Sequence, residues 1–165
     1  MRKEGPPVSF MLGRTSQISP AEVTRFDMKI SACVQNSEGH HRVTLDTNGN
    51  THTLVIAPKS TGCGSRANGG ELLFLALATC YCNDIYREAA KRGLRVEGVD
   101  VHVEGEFGAD GEPAHNVTYR AKVRSPASAE AVRDLMQHTD RMAEIQNTLR
   151  VGTSVTLSQV EVANG

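Results

Sequence analysis

The chain has 165 residues and a mass of 17.8 kDa, the size of one ordinary domain. At 39% hydrophobic and 22% charged residues it is globular, and it needs no disulfide or metal staple to bury a core. Eighteen Lys and Arg against nineteen Asp and Glu, with seven Phe and Tyr and no Trp, exclude a strongly basic nucleic-acid footprint and a base-stacking surface.

Residues 1–24 are polar or Pro-rich with little periodicity and read as an N-terminal arm, leaving a single domain over 25–165. The basic start is followed by no apolar h-region of a signal peptide, so the expected location is the cytoplasm. From Phe26 the pattern alternates, with Phe26, Met28, Ile30, Ala32 and Val34 on one face, which predicts a half-buried strand. A turn at Ser37-Glu38-Gly39 leads to a second strand over 42–47. Asn48-Gly49, a strong hairpin signal, joins that strand to a third over 51–57.

A Gly- and Ser-rich loop, 58–70, precedes the most informative stretch. Asn68 is a good N-cap, and Glu71 three residues on completes a capping-box pattern. The helix is expected to run to about Arg92, with Gly93 as its left-handed stop. Its first half is apolar all round and its second half charged, so one end must be enclosed, plausibly by a second subunit. The apolar run 72–82, broken only by Thr79, spans eleven residues, short of the ~20 that cross a bilayer.

Val99, Val101 and Val103 then alternate with acids and His102, and Val117, Tyr119, Ala121 and Val123 alternate with basic residues, predicting two paired strands. Ser125-Pro126 is expected to open a second helix, with Ala129, Val132, Leu135 and Met136 on its apolar stripe. A short helical or irregular piece covers 140–149, and a strand over 153–162 closes the chain. The order predicts an α+β fold with mainly antiparallel sheet.

The four cysteines, Cys33, Cys63, Cys80 and Cys82, read as free thiols rather than a secreted disulfide framework. Cys80-x-Cys82 lacks the spacer of the usual zinc pairs, so no metal or other cofactor is expected. Cys80 is either a small buried hydrophobe or a reactive thiol. The second role needs access and a nearby cation, for which Arg42 and Arg66 are the candidates. Cys82 points about 200° round the helix from Cys80 and cannot bond to it. Glu71 has a sufficient structural role in the capping box, His40-His41 reads as a strand start, and His102 as a solvated strand residue.

The stretch Asn68-Gly69-Gly70-Glu71-Leu72-Leu73-Phe74-Leu75-Ala76-Leu77-Ala78-Thr79-Cys80 resembles the Asn-Pro-Glu-Glu-Leu-Leu…Ala-Ala-Cys signature of the OsmC/Ohr family of osmotically inducible and organic-hydroperoxide-resistance proteins. The strand meander, the Gly-rich loop, the Val-rich strand after Gly93 and Ile145-Gln146-Asn147-Thr148-Leu149 also fall where the family has counterparts. The resemblance implies an OsmC-like α+β fold with a long buried central helix in an intertwined homodimer. It also implies thiol-dependent reduction of organic hydroperoxides, with Cys80 as the reactive thiol. The alternative is an OsmC-fold protein that binds a small thiol-bearing or apolar molecule without peroxidase chemistry.

The family's catalytic glutamate, ten residues before the reactive cysteine, falls on Gly70, and Glu71 matches only the second acid of that pair. Its second cysteine should lie near residue 143, where Met142-Ala143-Glu144 stands. Its arginine has Arg42 as nearest counterpart, in a shifted register. The expected catalytic set is therefore Cys80, with Glu71 and Arg42 displaced.

Overall fold

The computed structural model describes residues 27–163; the expected arm and Phe26 lie outside them. Three antiparallel strands, β1 (Ile30–Ser37), β2 (His40–Thr47) and β3 (Asn50–Leu54), form one sheet in sequence order. The Asn48-Gly49 turn makes the hairpin as expected, both residues taking positive φ, 52° and 85°. Asp46 Oδ1 accepts from the Gly49 N–H at 3.0 Å and pins the turn.

Helix α1 (Gly69–Lys91) follows the loop, then β4 (Gly98–Phe107) and β5 (Ala114–Arg124) as a two-stranded antiparallel sheet, then α2 (Ala129–Met142) and α3 (Glu144–Val151). The capping box of α1 is fully made: Glu71 N–H donates to Asn68 Oδ1 at 2.9 Å and Asn68 N–H to Glu71 Oε2 at 2.7 Å. Arg92 caps the other end and Gly93, at φ 64°, turns the chain away. On β4 and β5 Val99, Val101, Val103, Tyr119, Ala121 and Val123 alternate inward as expected while Val117 is exposed, and Asp100 pairs outward with Arg124 at 3.3 Å.

The core lies between the second half of α1, α2 and the inner face of β4–β5. Tyr81, Ile85, Ala89, Leu135 and Ala143 form it, with Val99, Val101, Tyr119, Ala121, Val123 and Met136 against it. Ile85 and Leu135 are wholly buried. The rings of Tyr81 and Tyr119 meet edge-on, and the Tyr81 hydroxyl donates to the Met136 carbonyl at 2.9 Å, tying α1 to α2.

Three expectations are corrected. The strand predicted as half-buried, β1, is exposed along its whole length, and burial in this sheet falls on β2 instead, at Val43. Helix α2 begins one turn later than Ser125-Pro126: Ser128 is its N-cap, while the Ser125 hydroxyl donates to the Arg95 carbonyl at 2.6 Å. Residues 153–162 are not a strand and pair with no strand among the described residues, and Val155 and Leu157 stand in the open. In the apolar half of α1 Leu77 is buried and Leu75 is exposed within the single chain, which leaves the expected enclosure by a second subunit open. The charged half supplies the most buried positions instead, including Asp84 and Glu88.

Candidate functional site

Cys80 sits in the middle of α1, half-buried at the edge of the core. One helical turn on, Asp84 lies on the same face, and the Cys80 thiol donates to its Oδ2 at 3.5 Å. The start of α3 comes back over this turn and sets Glu144 Oε2 at 3.9 Å from the same sulfur. Arg87 faces both carboxylates from the other side. Its Nη1 is 2.9 Å from Asp84 Oδ1 and 3.2 Å from Glu144 Oε1. Each carboxylate thus turns one oxygen to the guanidinium and the other to the sulfur.

This arrangement keeps the thiol protonated. Burial pushes the Cys80 thiol above its usual value, the Ile145 backbone N–H opposes that, and the Asp84 and Glu144 carboxylates push it further up. Asp84 is itself raised, by burial first and by Glu144 second, with Arg87 pulling the other way. Glu144 goes down: burial works against the shift, but the backbone N–H at the start of α3 and Arg87 outweigh it. Of the two, Asp84, the more deeply placed, is therefore the carboxylate that more readily takes up a proton.

Arg87 is anchored rather than free to turn to the sulfur. Its Nε donates to Glu88 Oε1 at 3.1 Å, and the same buried carboxylate receives Lys91 at 2.7 Å and faces His138 at 3.3 Å. Those donors, Lys91 first, hold Glu88 down to about 2.

Of the residues predicted from sequence, Cys80 alone lies in this cluster. Glu71 is held by the capping box at the far end of the apolar half of α1. Arg42 is exposed on β2 opposite Gln35, and its guanidinium has no ion-pair partner among the described residues. Gly70, where the family signature carries its glutamate, is covered by Phe107: a Cβ there would lie 2.7 Å from Phe107 Cε2. Cys33 and Cys63 are exposed, Cys82 lies in a groove with Ala78, Asn83 and Val101, and all four cysteines are free thiols.

Asp84, Arg87 and Glu144 were missed. Asp84 and Arg87 could have been read from helical spacing, Cys80, Asp84 and Arg87 being four and three residues apart. Glu144 has no local signal, since it is 64 residues from Cys80 in sequence. It stands beside the position near 143 that the resemblance assigns to a second cysteine, so a carboxylate approaches the sulfur there. Cys80, Asp84 and Glu144 also offer three metal-ligand atoms within 4.8 Å of one another.

The chain is thus an α+β protein with two antiparallel sheets, three helices and a half-buried thiol on the capped helix α1. Residues 62–158, more than half the chain, match the family described as OsmC-like protein, and the chain belongs to that family. Among curated proteins none matches it. Its fold is similar to that of the OsmC-like protein from Mycoplasma pneumoniae, at 17% identity and a TM-score of 0.54, over 76% of this chain and 89% of that one. A hypothetical protein from Aquifex aeolicus VF5 is similar at 13% identity and a TM-score of 0.54, over 77% of this chain and 89% of that one. So is an organic hydroperoxide resistance protein from Elizabethkingia anophelis with thiocyanate bound, at 16% identity and a TM-score of 0.50, over 79% and 93%. At these identities the likeness shows the fold alone. Among the described residues no helix is long and apolar enough to cross a membrane.

Proposed function

We propose that this chain reduces small organic hydroperoxides with one cysteine, Cys80, and that it does so as a homodimer. The observation carrying the reading is the Cys80–Asp84 hydrogen bond of 3.5 Å, which joins a half-buried thiol to a carboxylate able to take its proton. Similarity to a protein named for organic hydroperoxide resistance supports the substrate class.

In the step, Asp84 accepts the thiol proton and the sulfur attacks the terminal oxygen of R–O–O–H. The O–O bond breaks, the sulfur is oxidised to sulfenic acid, and the departing alkoxide takes the proton from Asp84 to leave as alcohol. With Glu144 where a second cysteine would stand, the sulfenic acid condenses with an external thiol, releasing water, and a second thiol frees Cys80 as a disulfide of the two reductants. Because the thiol is raised, turnover climbs as pH rises toward and beyond the usual thiol value of 9.0.

Two copies would cover what one leaves open: Leu75 on α1, Ile30 and Val34 on β1, and Val155 and Leu157 after α3. Arg42, whose guanidinium has no ion-pair partner among the described residues, and Glu71 are carried in this reading as contributors at the dimer interface. The test is consumption of cumene hydroperoxide with dithiothreitol as reductant. A Cys80→Ser variant is expected to fall to the uncatalysed rate, and a variant as fast as the unaltered chain ends the proposal.

One observation favours a second reading. Arg87 is turned to the carboxylates and not to the sulfur, which leaves the thiol neutral and suits a protein that binds a small thiol-bearing or apolar molecule. Native mass spectrometry showing a retained ligand, with no hydroperoxide consumed, would select it.

A further inference from the structure

We propose that Cys80, Asp84 and Glu144 bind a divalent cation of the zinc class. The ligand atoms are Cys80 Sγ, Asp84 Oδ2 and Glu144 Oε2, with sulfur–oxygen separations of 3.5 and 3.9 Å. In a tetrahedron with Zn–S of about 2.3 Å and Zn–O of about 2.0–2.2 Å, sulfur and oxygen vertices lie about 3.5 Å apart. One separation already equals that edge and the other is within a few tenths of an ångström of it.

The two oxygens that face the sulfur are those Arg87 does not use. The guanidinium takes Asp84 Oδ1 and Glu144 Oε1, so it aims the remaining oxygens without occupying them. Positioning of ligating carboxylates by a hydrogen-bond donor behind them is what metal sites require. The charges also match. A thiolate and two carboxylates, less the one positive charge of Arg87, leave two negative charges for a divalent cation. A mixed sulfur and oxygen donor set suits zinc or cobalt better than magnesium or calcium.

A separate observation lies on the same seam between α1 and α3. Gln146 is 4% exposed, its Nε2 donates to the Leu77 carbonyl on α1 at 3.0 Å, and its Oε1 has no partner among the described residues. A buried acceptor left unused costs stability unless something polar reaches it. In the proposed site, a water on the fourth vertex of the cation would supply such a donor. The vertex is reachable, because the Glu144 side chain is 63% exposed.

The site depends on the geometry of the three side chains and not on the peroxidase reading. Where Cys80 does attack hydroperoxides, a bound cation holds its lone pair and reversibly stops the reaction. The test is titration of the full chain with Co²⁺ alone, followed by the sulfur-to-cobalt charge-transfer band, and with Zn²⁺ alone by calorimetry. One equivalent with the band present is expected. Cys80→Ser removes the band, and Glu144→Gln, at an exposed position that leaves the fold intact, weakens binding at least tenfold. No band, or Zn²⁺ binding that is the same in both variants, overturns the proposal whatever the hydroperoxide assay gives.

Discussion

Replacing Gly70 by alanine probes the packing that occupies the position of the family's glutamate. The new Cβ would lie 2.7 Å from Phe107 Cε2 and 3.1 Å from Cζ. Carbon atoms rest about 3.5–4.0 Å apart, so the ring must withdraw by about 1 Å. That disturbs the stack of Phe107 on Phe74, whose centroids are 5.9 Å apart with 29° between planes. Such a pair is worth about 0.5–1.5 kcal/mol, and Phe107, at 52% exposure, can swing outward, which keeps the loss in that range. Against it, alanine gains up to about 1 kcal/mol over glycine in a helix. The two nearly cancel, so Gly70→Ala alone is expected to change stability by less than about 1 kcal/mol. In a Phe107→Ala background only the gain remains. Urea unfolding of the four proteins of the cycle should therefore give a coupling of about 1 kcal/mol. Coupling below about 0.3 kcal/mol would refute the account of position 70 as sterically filled.

Leu135→Ala removes a wholly buried side chain from the centre of the core and is expected to cost about 2–5 kcal/mol, lowering the thermal midpoint by about 10 °C. A fall of less than about 2 °C in calorimetry would move the core elsewhere. Glu88 supplies an acid limb: its carboxyl is lowered from 4.5 to about 2 by Lys91, Arg87 and His138. Its stabilisation is thus complete above the ordinary value and lost as pH falls from 4.5 toward about 2. Glu88→Gln should flatten stability against pH across that window, and an unchanged curve would contradict the ion-pair assignment.

What could be read beforehand follows the range of the forces involved. Asn68, Glu71 and Gly93 mark the ends of α1 through bonds only a few residues long, so helix and caps were legible. The Asn48-Gly49 hairpin was legible for the same reason. Ser125-Pro126 carried the right cap chemistry, but in the structure the Ser125 hydroxyl is bound to the Arg95 carbonyl, 30 residues away, and Ser128 caps the helix. The strand expected over 153–162 carries Val155, Leu157, Val160 and Val162 but pairs with no strand among the described residues. In the proposed site, Cys80 was a candidate from its place on the helix, with burial as the competing reading. Glu144 was hidden, because its approach to the sulfur is fixed by how α2 returns the chain and not by any local pattern.

The separation of the two sheets has a practical result. Strands β1–β3 lie outside the core that joins α1, α2, β4 and β5. In a lone chain their amides would exchange with deuterium far sooner than those of α1 and α2. Slow exchange there at high protein concentration, quickening on dilution, would report association through the very strands that acquire neighbours.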